Sequence, residues 1–395
     1  MTTLSVVIPA LNEEDGIADI IERVLAVRPA LAEAGVDDLE LIVVDDGSED
    51  RTAEIAGGYD DVRLISHEVN KGYGAAIKTG FRQARGELLS FLDADGTYPP
   101  EAYPALCKPA LEGVQVVVGT RMAGTDSQMP LTRRIGNKIF VTLINLISNV
   151  QITDSASGQR VLRREVLHAL YPLPDGLNFT PVMSTRAIHE NVKMVEVPIT
   201  YAERAGRSKL SVVKDGWRFL RTILGTALAY NPVRILGGIG VFFVLLALVM
   251  SVPATLTLLG GTSQEWPAIL IFAASVFTVL GVMLFSTGAA FNYIVSLFHH
   301  RDIRQGLFGR PIFRTPLEQH FGWGGIVASG GGVVLYVVTK LADLTPAAWF
   351  YPVLSAMLVL MGAQLFCSWM LIKVLSTLSK REAQRERDLN GKSTR

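Results

Sequence analysis

The run LELIVVDDGSEDRT, residues 39–52, decides the fold. Its first six residues are apolar but for Glu40, and the run stops abruptly in Asp45-Asp46-Gly47-Ser48. So apolar a strand is buried on both faces, as in a parallel sheet covered by helices on either side. Ser48 and Asp50 are residue types that cap a helix, here through about Ala56. The pattern repeats in both directions. Upstream, Leu4–Pro9 reads as a strand and about Asp15 to Val27 as a helix. Downstream come a strand at Val62–Ser66, the turn Asn70-Lys71-Gly72-Tyr73-Gly74, a helix through about Ala84, and a strand at Glu87–Leu92 ending in Asp93-Ala94-Asp95. This alternation predicts an α/β fold with a doubly wound, mostly parallel sheet. Ligands of such sheets bind beyond the carboxyl ends of the strands. Each polar cluster quoted falls at such an end, which places them in one crevice.

Half of the 395 residues are hydrophobic (49%), but they are unevenly spread. Residues 1–230 carry 24 Lys+Arg against 30 Asp+Glu, whereas 231–395 carry 13 against 7. An acidic soluble half is joined to a basic, apolar half, and neither has the strongly basic balance of a nucleic-acid binder. Cys107 and Cys367 lie in different halves without metal-ligand spacing, so both read as buried small hydrophobes in a reducing compartment. The opening MTTLSVVIPALNEE has no basic segment followed by a long apolar one, and reads as the first strand and not as a signal peptide.

Four apolar stretches, at about 235–260, 267–298, 322–341 and 349–374, are each long enough to cross a hydrocarbon core. Trp266, Trp323, Trp349 and Tyr351 mark their ends, as interfacial aromatic rings do. The segment between the second and third carries Arg301, Arg304, Arg310 and Arg314, and the tail carries Lys380, Arg381, Arg385, Arg387, Lys392 and Arg395. By the positive-inside rule both face the cytoplasm, and with four spans so does the N-terminal domain. The expected organisation is a cytoplasmic catalytic domain at 1–209, a basic amphipathic helix on the membrane surface at 210–230, a transmembrane domain at 231–378 and a basic cytoplasmic tail at 379–395. Almost no ionisable residue interrupts the spans, which suits an anchor better than an ion pathway.

Asp45, Asp46, Asp93 and Asp95 would repel one another unless something positive sits among them. A hard divalent cation bridged to phosphate oxygens does this, and it neutralises the charge that builds on a leaving diphosphate. A lone D-x-D is a weak sign, because surface turns read the same way. Following a buried strand, and paired with a second Asp-rich strand end, it is a stronger one. The G-x-G-x-x-G and P-loop fingerprints are missing from these turns. On residues alone, a phosphatase and a nucleotide-binding module remain rivals. His67, His168 and His189 are isolated and read as structural.

The succession VVIPALNEE (6–14), VVDDGSEDRT (43–52), NKGYGAAIKTG (70–80), DADGTYPP (93–100) and GTR (119–121) resembles the family-2 inverting glycosyltransferases of the GT-A fold. DSASGQRVLRREVL (154–167) and EVPITYAERAGRSKLS (196–211) resemble its polyprenyl-phosphate branch, typified by dolichol-phosphate mannose synthase and the bacterial undecaprenyl-phosphate glucosyltransferases. The resemblance covers roughly residues 4–211. It implies a Rossmann-like GT-A catalytic domain followed by an α-helical transmembrane domain of about four spans. It implies that Pro9, Ala10, Asn12, Glu13, Asp45, Asp46 and Gly74 line the nucleotide pocket, and that Asp93 and Asp95 hold Mg²⁺ or Mn²⁺ against the diphosphate. Arg121, Arg133 and Arg134 match the positions that bind the acceptor phosphate, while Arg204, Arg207 and Lys209 match the loop that closes on the donor diphosphate. Members often carry Gln two residues after the second Asp, where this chain has Thr97, and SGFR where it has Ser157-Gly158-Gln159-Arg160. Asp154 is the candidate base if the acceptor is a hydroxyl; otherwise it is a loop Asp bonding nearby amides or Arg side chains.

A phosphate monoester has a second pKa of about 6 and is largely dianionic at neutral pH. As an acceptor it needs charge neutralisation and positioning more than a base, and Arg clusters supply both. The expected reaction is inverting transfer of a sugar from a UDP- or GDP-sugar to undecaprenyl or dolichyl phosphate, at the bacterial plasma membrane and without nucleic acid, with a homo-oligomer left open. The rivals are a family-2 transferase acting on another lipid such as diacylglycerol, a processive polysaccharide synthase, and a non-catalytic sugar-nucleotide-binding membrane protein. For the synthase's Q-x-x-R-W motif the nearest candidate is Trp217-Arg218, without the motif; the intact Asp pairs and Arg clusters argue against the non-catalytic reading.

Overall fold

The structure, a computed structural model, describes residues 2–122, 129–147, 151–202, 212–259, 266–299, 314–341 and 350–390. The chain divides into two compact units, residues 1–226 and 227–395.

The first unit is built on seven strands: β1 (Thr3–Ala10), β2 (Asp38–Asp45), β3 (Val62–Ser66), β4 (Leu88–Phe91), β5 (Val116–Thr120), β6 (Arg160–Arg163) and β7 (Met194–Pro198). Their order across the sheet is β3-β2-β1-β4-β6-β5-β7. All neighbours pair in parallel except β6, which is antiparallel to both β4 and β5. This is the mostly parallel α/β sheet expected, with one strand reversed. Successive side chains of a strand point to opposite faces. Leu4, Val6, Ile8 and Ala10 of β1 therefore enter one core and Val7 enters the other. The helix Ile17–Ala26 buries Ile17, Ile20, Ile21 and Val24, a stripe at i, i+3, i+4 and i+7, in the first core. The helix Tyr73–Gln83 closes the second with Ala76, Ile77 and Phe81. It lies so near the sheet that a Cβ on Gly80 would stand 2.3 Å from Val7 Cγ1.

Helix capping follows the expectation at Asp50, which satisfies the first helical N–H, and departs from it at Ser48. The helix Thr52–Gly57 has no side-chain bond at its N-cap. Ser48 Oγ accepts instead from the Asn12 N–H (2.9 Å), and Asp50 Oδ1 accepts from the Thr52 N–H (3.0 Å). The register Ala10↔Asp45 sets the loops after β1 and β2 side by side, so Ser48 is drawn into tying one loop to the other.

The reversed strand positions the site. Phe91 at the end of β4 pairs with Arg160 at the start of β6. Because the strands are antiparallel, the residues leaving β4, Leu92 to Asp95, run beside those that enter β6, Asp154 to Gln159. β5 meets β6 in the same sense, with Val118 opposite Arg160, which brings Arg121 to the same segment.

In the second unit, four helices among the described residues are long and apolar enough to cross a membrane: Val233–Thr257, Trp266–Phe298, Leu317–Leu341 and Tyr351–Leu378. The first begins in a π-turn, Val233–Gly237, after Pro232, and the third in a short 3₁₀ turn, Leu317–His320. The fourth belongs to one helix, Phe350–Asn390, of 41 residues. No Gly or Pro interrupts it after Gly362 until Gly391, so helix runs through most of the basic tail. The helices pack backbone to backbone. A Cβ on Gly325 would lie 2.7 Å from Gly362 O, and one on Gly240 would lie 2.5 Å from Gly281 O. Small residues allow this approach where the hydrophobic effect does not drive helices together.

Candidate active site

Pro9 and Ala10 end β1 opposite Val44 and Asp45. In the following loop Asn12 adopts a positive φ of 51°. Its Oδ1 accepts from the Glu49 N–H (2.8 Å), and the Glu13 N–H donates to Thr52 Oγ1 (2.8 Å). Asp45 Oδ1 accepts from the Ser48 N–H at 3.1 Å. Asp46 is buried and heavily engaged: His67 Nδ1 lies 2.7 Å away, and the N–H groups of Lys71 and Gly72 donate to it at 2.9 and 2.8 Å. His67 Nε2 in turn meets Thr79 Oγ1 at 3.0 Å. Asp46 thus ties the end of β2 to the Asn70–Gly74 turn, with His67 as the other half of the tie. Gly74 opens the next helix where a Cβ would stand 2.2 Å from Pro174 O, so no side chain fits there.

The two carboxylates of Asp93-Ala94-Asp95 follow β4. Asp93 is half-buried and Asp95 buried. The Tyr73 hydroxyl donates to Asp93 Oδ1 at 2.6 Å. Burial, and then the Asp93 charge, hold that phenol well above its ordinary range, so it stays protonated. Thr97 donates to Asp95 Oδ1 through its N–H (3.1 Å) and its hydroxyl (2.6 Å). The residue standing where relatives often have Gln therefore braces Asp95. No cluster of three or more His, Cys, Asp or Glu able to hold a metal occurs among the described residues. Two carboxylates without a third protein ligand fit a hard cation that completes its shell with phosphate oxygens and water.

Beside them lies a buried ion pair. Arg121 donates to Asp154 twice through its side chain, from Nε to Oδ2 (2.7 Å) and from Nη2 to Oδ1 (2.8 Å), and again through its N–H (3.2 Å). Its Nη1 donates to the Tyr98 hydroxyl at 3.0 Å. The guanidinium also lies over the rings of Tyr98 and Tyr201, 5.8 and 5.4 Å from their centroids. Burial would raise the Asp154 carboxyl, but the Arg121 charge and its hydrogen bonds outweigh that and hold it below the usual range. Of the two readings open for Asp154, the geometry is that of the Asp bonded to an Arg. The Tyr201 hydroxyl accepts from Arg133 Nη1 at 3.1 Å, and Arg134 is exposed. Arg204, Arg207 and Lys209 lie outside the described residues.

Two family models match the chain: Glycosyl transferase family 2 over residues 5–171, and Domain of unknown function (DUF8752) over residues 232–386. The undecaprenyl-phosphate 4-deoxy-4-formamido-L-arabinose transferase of Photorhabdus laumondii is 33% identical over 311 residues, which is 76% of this chain and 90% of the relative. The chain belongs to the family-2 glycosyltransferases, in their polyprenyl-phosphate branch. The low-salt glycan biosynthesis hexosyltransferase Agl6 of Haloferax volcanii is 34% identical over 235 residues, 58% of this chain; the chain spans 54% of that relative. A glucosyl-3-phosphoglycerate synthase from Mycobacterium tuberculosis, solved with Mn²⁺, UDP and glucosyl-3-phosphoglycerate, is 26% identical, with 58% of this chain and 80% of that chain covered and a TM-score of 0.45.

In this glycosyltransferase the structure adds residues that sequence reasoning does not single out. Tyr73, Tyr98 and Tyr201 all touch candidate site side chains. The one signal for them is that each sits inside a quoted motif, in NKGYG, DADGTYPP and EVPITY. Arg160 is fully buried, and its Nε and Nη2 donate to the carbonyls of Ser157 and Ser155, both at 3.1 Å. Burial pushes its guanidinium down to about 10, which leaves it cationic at neutral pH. It pins the segment that carries Asp154. Gln159, in place of the Phe of SGFR, donates from Nε2 to Pro99 O at 2.8 Å and so holds the loop that follows Asp95.

Proposed function

We propose that this glycosyltransferase moves a hexose or related sugar, with inversion, from a UDP- or GDP-sugar to a polyprenyl phosphate. The observation that carries the reading is the Arg121–Asp154 pair. Both oxygens of Asp154 are taken by a guanidinium and its carboxyl is held low, so it is a poor base. An acceptor hydroxyl would therefore not find its base in Asp154. An acceptor phosphate brings its own negative oxygen, with a second pKa of about 6. Relatives such as the undecaprenyl-phosphate 4-deoxy-4-formamido-L-arabinose transferase of Photorhabdus laumondii agree with a phosphate acceptor. One phosphate oxygen attacks the anomeric carbon as the nucleoside diphosphate departs from the opposite face. Asp93 and Asp95 would hold Mg²⁺ or Mn²⁺, which supplies positive charge to the departing diphosphate. Arg133 and Arg134 draw in the acceptor phosphate; Arg121, expected to bind it too, is already held by Asp154 and Tyr98 and so orders the site beside them, and Arg204, Arg207 and Lys209 supply positive charge to the donor diphosphate.

A lipid acceptor requires the site to meet a membrane. On the helix Leu131–Ile147, Leu131, Ile135, Ile139 and Leu146 point outward, 52% to 71% exposed, with Arg134 and Lys138 exposed among them. Phe140 packs on Phe219 (5.9 Å between centroids) of the helix Val212–Tyr230, on which Trp217, Arg218 and Arg221 are exposed. Apolar side chains interleaved with cations suit the surface of an anionic bilayer. With the positive-inside argument, this face meets the cytoplasmic leaflet of the plasma membrane.

The test is transfer from radiolabelled UDP- and GDP-sugars to undecaprenyl phosphate in detergent, with Mn²⁺ or with EDTA. A chloroform-soluble, mild-acid-labile product that forms only with metal is the expected result. A labelled lipid stable to mild acid would overturn the phosphate acceptor in favour of a glycolipid or polymer product.

A further inference from the structure

We propose that Tyr73 is a positioning residue that locks the carboxylate of Asp93 in the orientation that receives the metal, and that the Asp46–His67 tie sets where Tyr73 stands. This rests on the metal role given above to Asp93 and Asp95. The Asp93 carboxylate is confined from two sides. The Tyr73 hydroxyl donates to Oδ1 at 2.6 Å. Gly158 presses on the other oxygen so closely that a Cβ there would stand 2.6 Å from Oδ2. The phenol thus anchors one oxygen, and the other lies where Gly158 leaves no room for a side chain.

Tyr73 is itself held. It begins the helix Tyr73–Gln83, directly after Gly72, whose φ is 103°. The turn before it is bound to Asp46 through the N–H groups of Lys71 and Gly72. On the far side, the Ala75 N–H donates to Asp175 O at 3.1 Å, and Gly74 lies against Pro174 O. The phenol therefore reaches Asp93 from a backbone fixed on both flanks. Partners that orient a ligating group in this way typically change metal affinity by about 10- to 100-fold when lost.

The experiment is Mn²⁺ binding, followed by electron paramagnetic resonance, to the full-length protein in detergent with saturating UDP and, separately, GDP. Tyr73→Phe removes one oxygen and no ring. It is expected to weaken Mn²⁺ binding about tenfold, while nucleotide binding in EDTA stays at its wild-type value and the thermal midpoint falls by no more than the few degrees that one lost hydrogen bond to a carboxylate costs. In transfer assays the Mn²⁺ concentration for half-maximal rate rises by the same factor, and kcat recovers most of its value at saturating metal. Gly158→Ala, which keeps the phenol and crowds Oδ2, should weaken Mn²⁺ likewise. Unchanged Mn²⁺ affinity in Tyr73→Phe, or loss of nucleotide affinity in EDTA to the same degree as metal affinity, would overturn the positioning role. Wild-type protein that binds no Mn²⁺ with either nucleotide would instead sink the metal role of the two aspartates, and the inference with it.

Discussion

Replacing Asp154 by asparagine removes one charge and almost no volume from the floor of the crevice. Asp154 and Arg121 are joined by two side-chain bonds of 2.7 and 2.8 Å, and their side chains are 0% and 9% exposed. Breaking a buried pair from one side costs about 3–5 kcal/mol, because the remaining charge is stranded. Asparagine keeps one acceptor oxygen, and a hydrogen bond to a charged group returns about 1.5–3 kcal/mol. A net loss of about 2 kcal/mol remains. On a unit of about this size each kcal/mol lowers the unfolding midpoint by about 2–4 °C, so the midpoint should fall by about 4–8 °C. The assay is thermal unfolding of the detergent-solubilised protein, followed by transfer measured well below both midpoints, where the rate should fall tenfold or less. A general base contributes about 10²–10⁴-fold. An Asp154→Asn protein with an unaltered midpoint and a rate down a thousandfold would refute the assignment to the ion pair. The pH dependence gives a second check. The folded-state pKa of Asp154 lies below its unfolded value, so its stabilisation is complete above about pH 4 and is lost only as pH falls through the folded value. The difference in stability between wild type and Asp154→Asn should stay constant from pH 5 to 8; a difference that vanishes near pH 6 would contradict the depressed carboxyl.

Asp93→Ala and Asp95→Ala should each lower transfer by about a hundredfold or more, since a metal supplies several kcal/mol to the transition state; wild-type rates with either would remove the metal role. Gly74→Ala forces a Cβ to within 2.2 Å of Pro174 O. It should lower stability by about 1–3 kcal/mol, read as a lower thermal midpoint. Ile139→Asp changes an exposed side chain, so the midpoint should hold while KM for undecaprenyl phosphate rises several-fold in liposomes and KM for a short water-soluble polyprenyl phosphate does not. Equal changes for both acceptors would count against the membrane-facing role of that helix. The acid limb of the transfer rate should fall near pH 6, where the acceptor phosphate takes up a proton, and a limb near pH 4 would point to an enzyme carboxylate instead.

Much of this was legible in residue order alone. Buried parallel strands betray themselves by apolar runs, so β1, β2 and β4 and the polar loops after them could be placed closely, while the edge strand β3, partly exposed and carrying Arg63, was marked by its alternation with helices. The spans were equally plain, because a hydrocarbon core demands length and apolarity together. The short strand β6 was not legible: RVLR has no length, and its direction follows from pairing with β4 and β5, which are distant in sequence. The positions of Asp93 and Asp95, directly after β4, were legible from the motif itself. The site was opaque where a residue acts through a neighbour that only the fold supplies. The sequence marks Asp46 as a carboxylate at a strand end but does not reveal that His67 and two backbone N–H groups engage it. Asp154 was ambiguous between base and ion pair because Arg121, 33 residues away, is the deciding partner.

The reversed strand also bears on how the protein is made. β4 ends at Phe91, but the strand that pairs with its free edge begins only at Arg160, and β5 cannot join the sheet until that strand has arrived. At about 5–20 residues per second of synthesis, the nascent chain carries an unpaired sheet edge for on the order of ten seconds. Such edges invite pairing with other chains. The first apolar span, at Val233, is synthesised later still. The edge is thus exposed on the ribosome before the chain has any span to hand to the membrane, and biogenesis has to shield that interval while the two carboxylates and the ion pair are still on separate, unassembled segments.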